Sequence, residues 1–138
     1  MSEFVDPTRE AFGAFRSLPE EGPIHMLNLV RLRERAAYPD GREASGADAY
    51  RAYSSESGPI FRRLGGRIAW SGDFRLMLIG PADEHWDICF IAEYPSGAAF
   101  AEMIRDAGYQ QAVKHRQAAV LDSRLIRLNP RKTGGGFG

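Results

Sequence analysis

Residues 24–31 (IHMLNLVR) are apolar on both faces of an extended chain: Leu27 and Leu29 oppose Met26 and Val30. A strand of this kind needs cover on two sides, so it belongs in the middle of a sheet. Residues 86–94 (WDICFIAEY) repeat the pattern, with Cys89 and Ile91 opposing Ile88 and Phe90. Two central strands in a chain of 138 residues imply one sheet and one domain. Two half-length domains would each bury a poor core.

The segments between them complete a repeating order. Asp6-Pro7 is a helix start, with a carboxylate N-cap and proline at the first helical position, so a helix is expected over about 6–17 with Phe12 and Phe15 as its apolar contacts. Pro19 and Gly22-Pro23 reset the chain before the first strand. Residues 31–47 form a polar loop with a Pro39-Asp40-Gly41 turn, long enough to act as a flap. Residues 47–64 are helical, with Tyr50, Tyr53, Ser57, Phe61 and Leu64 near one stripe. Gly58-Pro59 predicts a kink or two short helices there, and Gly65-Gly66 a C-cap. Residues 67–71 and 74–79 are strand-like pieces around Gly72-Asp73, either a tight hairpin or one bulged strand. After the strand at 86–94, Pro95-Ser96-Gly97 leads into a helix over 98–105. A break at 106–108, a second helical piece from Tyr109 to about Val120 and a last strand over 121–128 follow. The glycine-rich tail, 131–138, is expected to be disordered.

After the N-terminal helix the order is strand, helix, strand, strand, helix, strand. Right-handed crossovers make this an α+β, ferredoxin-like β-α-β-β-α-β subunit, a four-stranded sheet with helices on one face. The single domain spans 1–130, with its core in 22–129. The other sheet face would expose a large apolar area, which predicts a homodimer in which two sheets face each other.

Eighteen basic residues balance eighteen acidic ones, so no global field draws the chain to nucleic acid or an anionic membrane. No apolar run approaches the roughly 20 residues of a membrane span. Glu3 and Asp6 stand where a secretory signal would be basic. The lone Cys89 excludes an internal disulfide and any multi-cysteine metal site, and a cytoplasmic location is expected.

Arg116 falls in the middle of the apolar stripe of Tyr109, Ala112, Val113 and Val120. A guanidinium aimed at a core needs a carboxylate, a carbonyl array or a ligand. A snorkelling side chain, or an ion pair with Asp87, Glu93 or Asp122, is one reading; an anchor for a substrate carboxylate or enolate is the other. Asn28 is polar within an apolar strand and shares a face with Met26 and Val30. It either satisfies neighbouring backbone or donates to a ligand oxygen. Tyr50 and Tyr53 read as core residues with hydroxyls at the rim, or as phenols that orient a carbonyl. Trp70, Trp86, Phe90 and Tyr94 read as packing, or as the lining of a pocket for a planar ligand. Asp87 is a turn or salt-bridge residue, or a general base raised by burial.

His25, His85 and His115 have no metal-site spacing, His115 lies on the polar, solvated side of its helix, and nothing specific supports a haem histidine. Cys89 reads as an inert core thiol. Gly134-Gly135-Gly136 precedes no helix and is no phosphate loop. No cofactor or metal is expected.

Met26-Leu27-Asn28-Leu29, Tyr50 and Tyr53, Gly65-Gly66, Glu93-Tyr94-Pro95-Ser96, Tyr109, Arg116 and Ser123-Arg124-Leu125 together resemble the family called domain of unknown function 1330. The likeness covers roughly 22–129. It implies a dimeric α/β barrel of ferredoxin-like subunits, from which this chain departs by its N-terminal helix and its loop at 31–47. The wider superfamily includes cofactor-free monooxygenases, lactone isomerases, haem enzymes and stress-response proteins, so fold alone assigns no activity.

Two functions are weighed. The first is a homodimer that binds or transforms a small carboxylate or carbonyl compound without a cofactor. Arg116, Asn28 and Tyr53 are its catalytic candidates, and Tyr50, Trp70, Trp86, Asp87, Tyr94 and Tyr109 line its site. The second is a non-catalytic dimeric sensor or interaction domain with a structural polar interior.

Overall fold

A computed structural model describes residues 3–20 and 22–137. The elements run α1 (Arg9–Ser17), β1 (Ile24–Leu32), α2 (Gly46–Arg63), β2 (Arg67–Gly72), β3 (Ile88–Tyr94), α3 (Gly97–Arg105), α4 (Ala107–Ala119) and β4 (Val120–Leu128). The strands form one antiparallel sheet in the order β2-β3-β1-β4. The ferredoxin-like arrangement is therefore present, with the doubly apolar strands β1 and β3 in the centre.

Alternation along β1 sets the two faces. Ile24, Met26 and Val30 are buried beneath the helices. In register with them, Ala92 and Tyr94 of β3 join Phe100, Met103 and Tyr109 in the main core cluster. His25, Leu27 and Leu29 point to the other face, opposite Glu93, Ile91 and Cys89. No helix among the described residues covers that face.

Several local expectations give way to competing contacts. The cap of α1 is Thr8, whose hydroxyl accepts from the Ala11 amide at 3.0 Å, while Asp6 faces Gln117. Pro59 does not split α2, which runs unbroken through it. Its missing N–H orphans the carbonyl of Ser55, which is exposed and can be hydrated. Residues 74–79 form no strand. They belong to the connection from β2 to β3, with Leu76, Leu78 and Ile79 73%, 84% and 90% exposed.

The break between α3 and α4 narrows to Asp106, which ends α3 and caps α4 by accepting the Tyr109 amide at 3.1 Å. The loop after β1 docks onto α4 through Ala37 N–H to Ala118 O and Arg33 N–H to Ala119 O, both 2.8 Å. Residues 131–137 carry no helix or strand, and Gly138 of the expected tail lies outside the described residues.

Candidate functional site

An open cleft of about 1810 Å³ lies between the helix-facing side of the sheet and the helices. Met26, Asn28, Phe90 and Ala92 form its floor, α2 and α4 supply Tyr50, Tyr53, Phe61, Tyr109 and Arg116, and α1 covers it with Phe12 and Phe15.

Arg116 is 9% exposed. It donates through Nη1 to the Val5 carbonyl and through Nη2 to Ser123 Oγ at 3.2 Å. None of the ion pairs among the described residues includes it. The ion-pair reading is thus corrected, because each proposed carboxylate is engaged elsewhere. Glu93 lies on the opposite sheet face with His25 at 2.9 Å and Arg67 at 2.8 Å. Asp122 pairs with Arg124 at 2.7 Å, and Asp87 accepts the Leu32 amide at 2.7 Å. A buried cation with two neutral acceptors and no counter-ion faces the cleft.

Tyr50 and Tyr109 lie near that charge, and Tyr53 and Tyr94 join them in lining the cleft. The Tyr53 and Tyr109 hydroxyls share a hydrogen bond of 2.8 Å, and the Tyr50 and Tyr53 rings lie 5.4 Å apart. Tyr94 donates to Met103 Sδ at 3.8 Å and packs edge-on against Phe61 and Phe100. Burial pushes the phenols of Tyr50, Tyr94 and Tyr109 well above the ordinary range, while the Arg116 charge pulls Tyr50 and Tyr109 part of the way back. These phenols stay protonated and can donate. Asn28 Nδ2 donates to the Met26 carbonyl at 3.0 Å, which leaves its amide oxygen and second N–H outside that bond.

Arg116, Asn28, Tyr50, Tyr53, Tyr94, Tyr109 and Asp87 all line the cleft. Asp87 is exposed, so the burial its general-base reading requires is absent. The two tryptophans lie elsewhere. A bulge between Ile68 and Trp70 shifts the register, so Ile68 faces the cleft side opposite Ala92 while Trp70 pairs with Ile91 on the open sheet face. Trp86 is buried in a smaller pocket of about 250 Å³ beside Arg31, Asp122 and Arg124.

Sequence reasoning missed Ser123, although a polar residue at an inward position of β4 was a usable signal. It also placed His115 in solvent. Its Nδ1 lies 2.6 Å from the Tyr38 hydroxyl and its Nε2 2.9 Å from Glu56. No group of three metal-binding side chains occurs among the described residues, and no helix there is long and apolar enough to cross a membrane.

The family described as Domain of unknown function (DUF1330) matches residues 43–127. The chain is 67–68% identical to RPA0582, a protein of unknown function from Rhodopseudomonas palustris. One crystal structure of that protein, in methylated form, aligns at TM-score 0.95 over 98% of this chain and 100% of that one. SnoaB, a cofactor-independent oxygenase from Streptomyces nogalater, is similar in fold alone. It is 15% identical, with TM-score 0.51 over 82% of this chain and 97% of that one. No protein of curated function matches the chain.

Proposed function

This chain belongs to the family of domain of unknown function 1330, and from that premise we propose that it is a homodimer that binds a small carboxylate or carbonyl compound in the cleft above its sheet. One observation carries the reading: Arg116 is buried and has no carboxylate partner among the described residues. An anionic ligand would supply the missing charge. Of the five N–H groups of the guanidinium, the described bonds take two. Whichever of Tyr53 and Tyr109 does not donate in their mutual bond would donate to a second oxygen, and Asn28 would orient it. Such a set of preorganised donors stabilises an enolate, the step common to cofactor-independent proton transfer and oxygenation of activated carbonyl compounds.

The open sheet face supports the dimer. Trp70, Ile91, Leu27 and Ile126 lie in one row across all four strands. A second copy of the chain presents the same row and can cover it by two-fold symmetry.

A second reading, a non-catalytic sensor, is favoured by the Tyr53–Tyr109 bond, in which two candidate groups satisfy each other. The test is calorimetric titration of the protein and its Arg116→Leu variant with small carboxylates, enolisable ketones and phenols, followed by assay of solvent proton exchange into any ketone that binds. Binding lost in a folded Arg116→Leu dimer supports the proposal. Proton exchange separates enzyme from sensor. Binding that survives the substitution overturns the anchor.

A further inference from the structure

The cleft is larger than a site for a small acid needs to be. Its volume, about 1810 Å³, exceeds the roughly 300–1,000 Å³ of ordinary small-molecule pockets. Most of its wall is hydrocarbon and aromatic ring, and Arg116 is its buried cation. Of the other arginines that reach it, Arg62 and Arg67 are exposed at the rim, Arg124 is half-buried and paired with Asp122, and Arg127 is half-buried where it donates to the Phe15 carbonyl. A buried charge at one place and a long apolar surface beside it match a ligand with one carboxylate and an extended apolar body.

The roof has the construction of a lid. No residue of α1 is fully buried, yet Ala11, Phe12, Phe15 and Leu18 on its inner side all line the cleft. The helix is tied down at its two ends. Ahead of it, the Phe4 amide donates to Asp122 Oδ1 and the Ser123 hydroxyl donates to the Phe4 carbonyl, both at 2.8 Å, and Arg116 donates to the Val5 carbonyl. At the far end Arg127 donates to the Phe15 carbonyl at 3.3 Å, and the Gly97 amide donates to Glu20 at 3.2 Å. Arg116 and Ser123 thus hold the leader of the lid and face the cleft at the same time. A body lodged beneath α1 would complete the burial of Phe12 and Phe15.

We propose that the ligand is an amphipathic monocarboxylate, of the fatty-acyl or aryl-alkanoic class, whose head group binds Arg116 and whose apolar body is closed over by α1. This rests on Arg116 as an anion anchor, the reading given above, and adds the ligand's length and the moving element.

Titration calorimetry with butanoate, hexanoate, octanoate and decanoate tests it on the intact chain. Affinity is expected to rise about fourfold per added methylene, the gain of burying each one. Decanol, which lacks the charge, should bind at least tenfold more weakly than decanoate. Phe12→Ala/Phe15→Ala should flatten the chain-length series. Hydrogen exchange of amides 9–17 should slow with decanoate and not with butanoate.

Affinity independent of chain length would overturn this inference and leave the anion site standing. Unchanged exchange of α1 in saturating decanoate would overturn the lid. Decanol binding as tightly as decanoate would overturn the head-group assignment. No acid binding at all would take both readings down together.

Discussion

The hydroxyls of Tyr53 on α2 and Tyr109 on α4 lie 2.8 Å apart and tie the two helices together at the wall of the cleft. Their burial differs: Tyr109 is buried, while Tyr53 is half-buried. Removing one hydroxyl therefore has a different cost from removing the other. Tyr109→Phe leaves a Tyr53 hydroxyl that can turn to water, so only the net bond is lost, about 1 kcal/mol. Tyr53→Phe strands the Tyr109 hydroxyl in the interior and should cost more, about 1–3 kcal/mol. Urea unfolding of the two variants checks the order. Equal losses would show that both hydroxyls reach solvent.

Alkaline pH acts on the same cluster. Burial raises the phenols of Tyr50, Tyr94 and Tyr109 above the ordinary value, with neighbouring tyrosines adding to it and Arg116 opposing it at Tyr50 and Tyr109. In the unfolded chain each titrates near about 10. A group raised on folding contributes stability that is complete below its unfolded pKa and is lost as pH climbs from there towards the folded value. The contribution of these three phenols to stability should be complete up to about pH 10 and fall steadily above it. Tyrosinate absorbance of the native protein near pH 11 should lack the contributions of Tyr50, Tyr94 and Tyr109, and the missing signal should appear on denaturation. A full tyrosinate signal with unchanged circular dichroism would contradict the buried assignment.

Gly46 opens α2 where the chain returns from the loop, and its position has no room for a side chain. A Cβ there would stand 1.8 Å from the Arg33 carbonyl oxygen, while the Gly46 amide donates to the Glu34 carbonyl at 3.2 Å. Gly46→Ala must move either the helix start or the end of β1, and overpacking of backbone costs about 1–3 kcal/mol or more. Gly13 has open space around its Cβ position, so Gly13→Ala should be neutral or stabilising by comparison. Paired melting curves decide it; equal melting temperatures for the two variants would refute the close approach.

What the amino acids disclosed was set by short-range pattern. Both-sided apolar runs at β1 and β3 placed the central strands, Gly65-Gly66 marked the end of α2, and periodicity aimed Arg116 at the interior. What they hid depended on long-range contacts. The bulge beside Ala69 turns Trp70 away from the cleft, and nothing in the run RIAWS marks it. Alternation alone would leave Ile68 and Trp70 on one face. His115 looked solvated because its partners come from elsewhere: Tyr38 from the loop after β1, and Glu56 from α2. The acceptors of Arg116 were equally hidden. One is a backbone carbonyl of Val5, 111 residues away in the chain.

The proposed dimer makes a prediction on the opposite face of the sheet. Leu27 stands opposite Ile91 on one side and Ile126 on the other, and Ile91 stands opposite Trp70. Trp70 is 53% exposed and Ile126 43% exposed, although they occupy this apolar row. Charge at one end of the face is already neutralised within the subunit, where Glu93 pairs with His25 and Arg67 and is held below the ordinary carboxylate range by them. The remaining surface has little to offer a charged partner and much to offer its own copy. A carboxylate at Ile126 would be solvated in a separate subunit and desolvated in the dimer, so it selects against association and spares the fold. Ile126→Asp is therefore expected to sediment as a monomer with unchanged far-ultraviolet circular dichroism, while the parent chain sediments as a dimer at the same micromolar concentration. A monomeric parent chain would remove the two-sheet interface. A dimeric Ile126→Asp variant would move the interface to another surface.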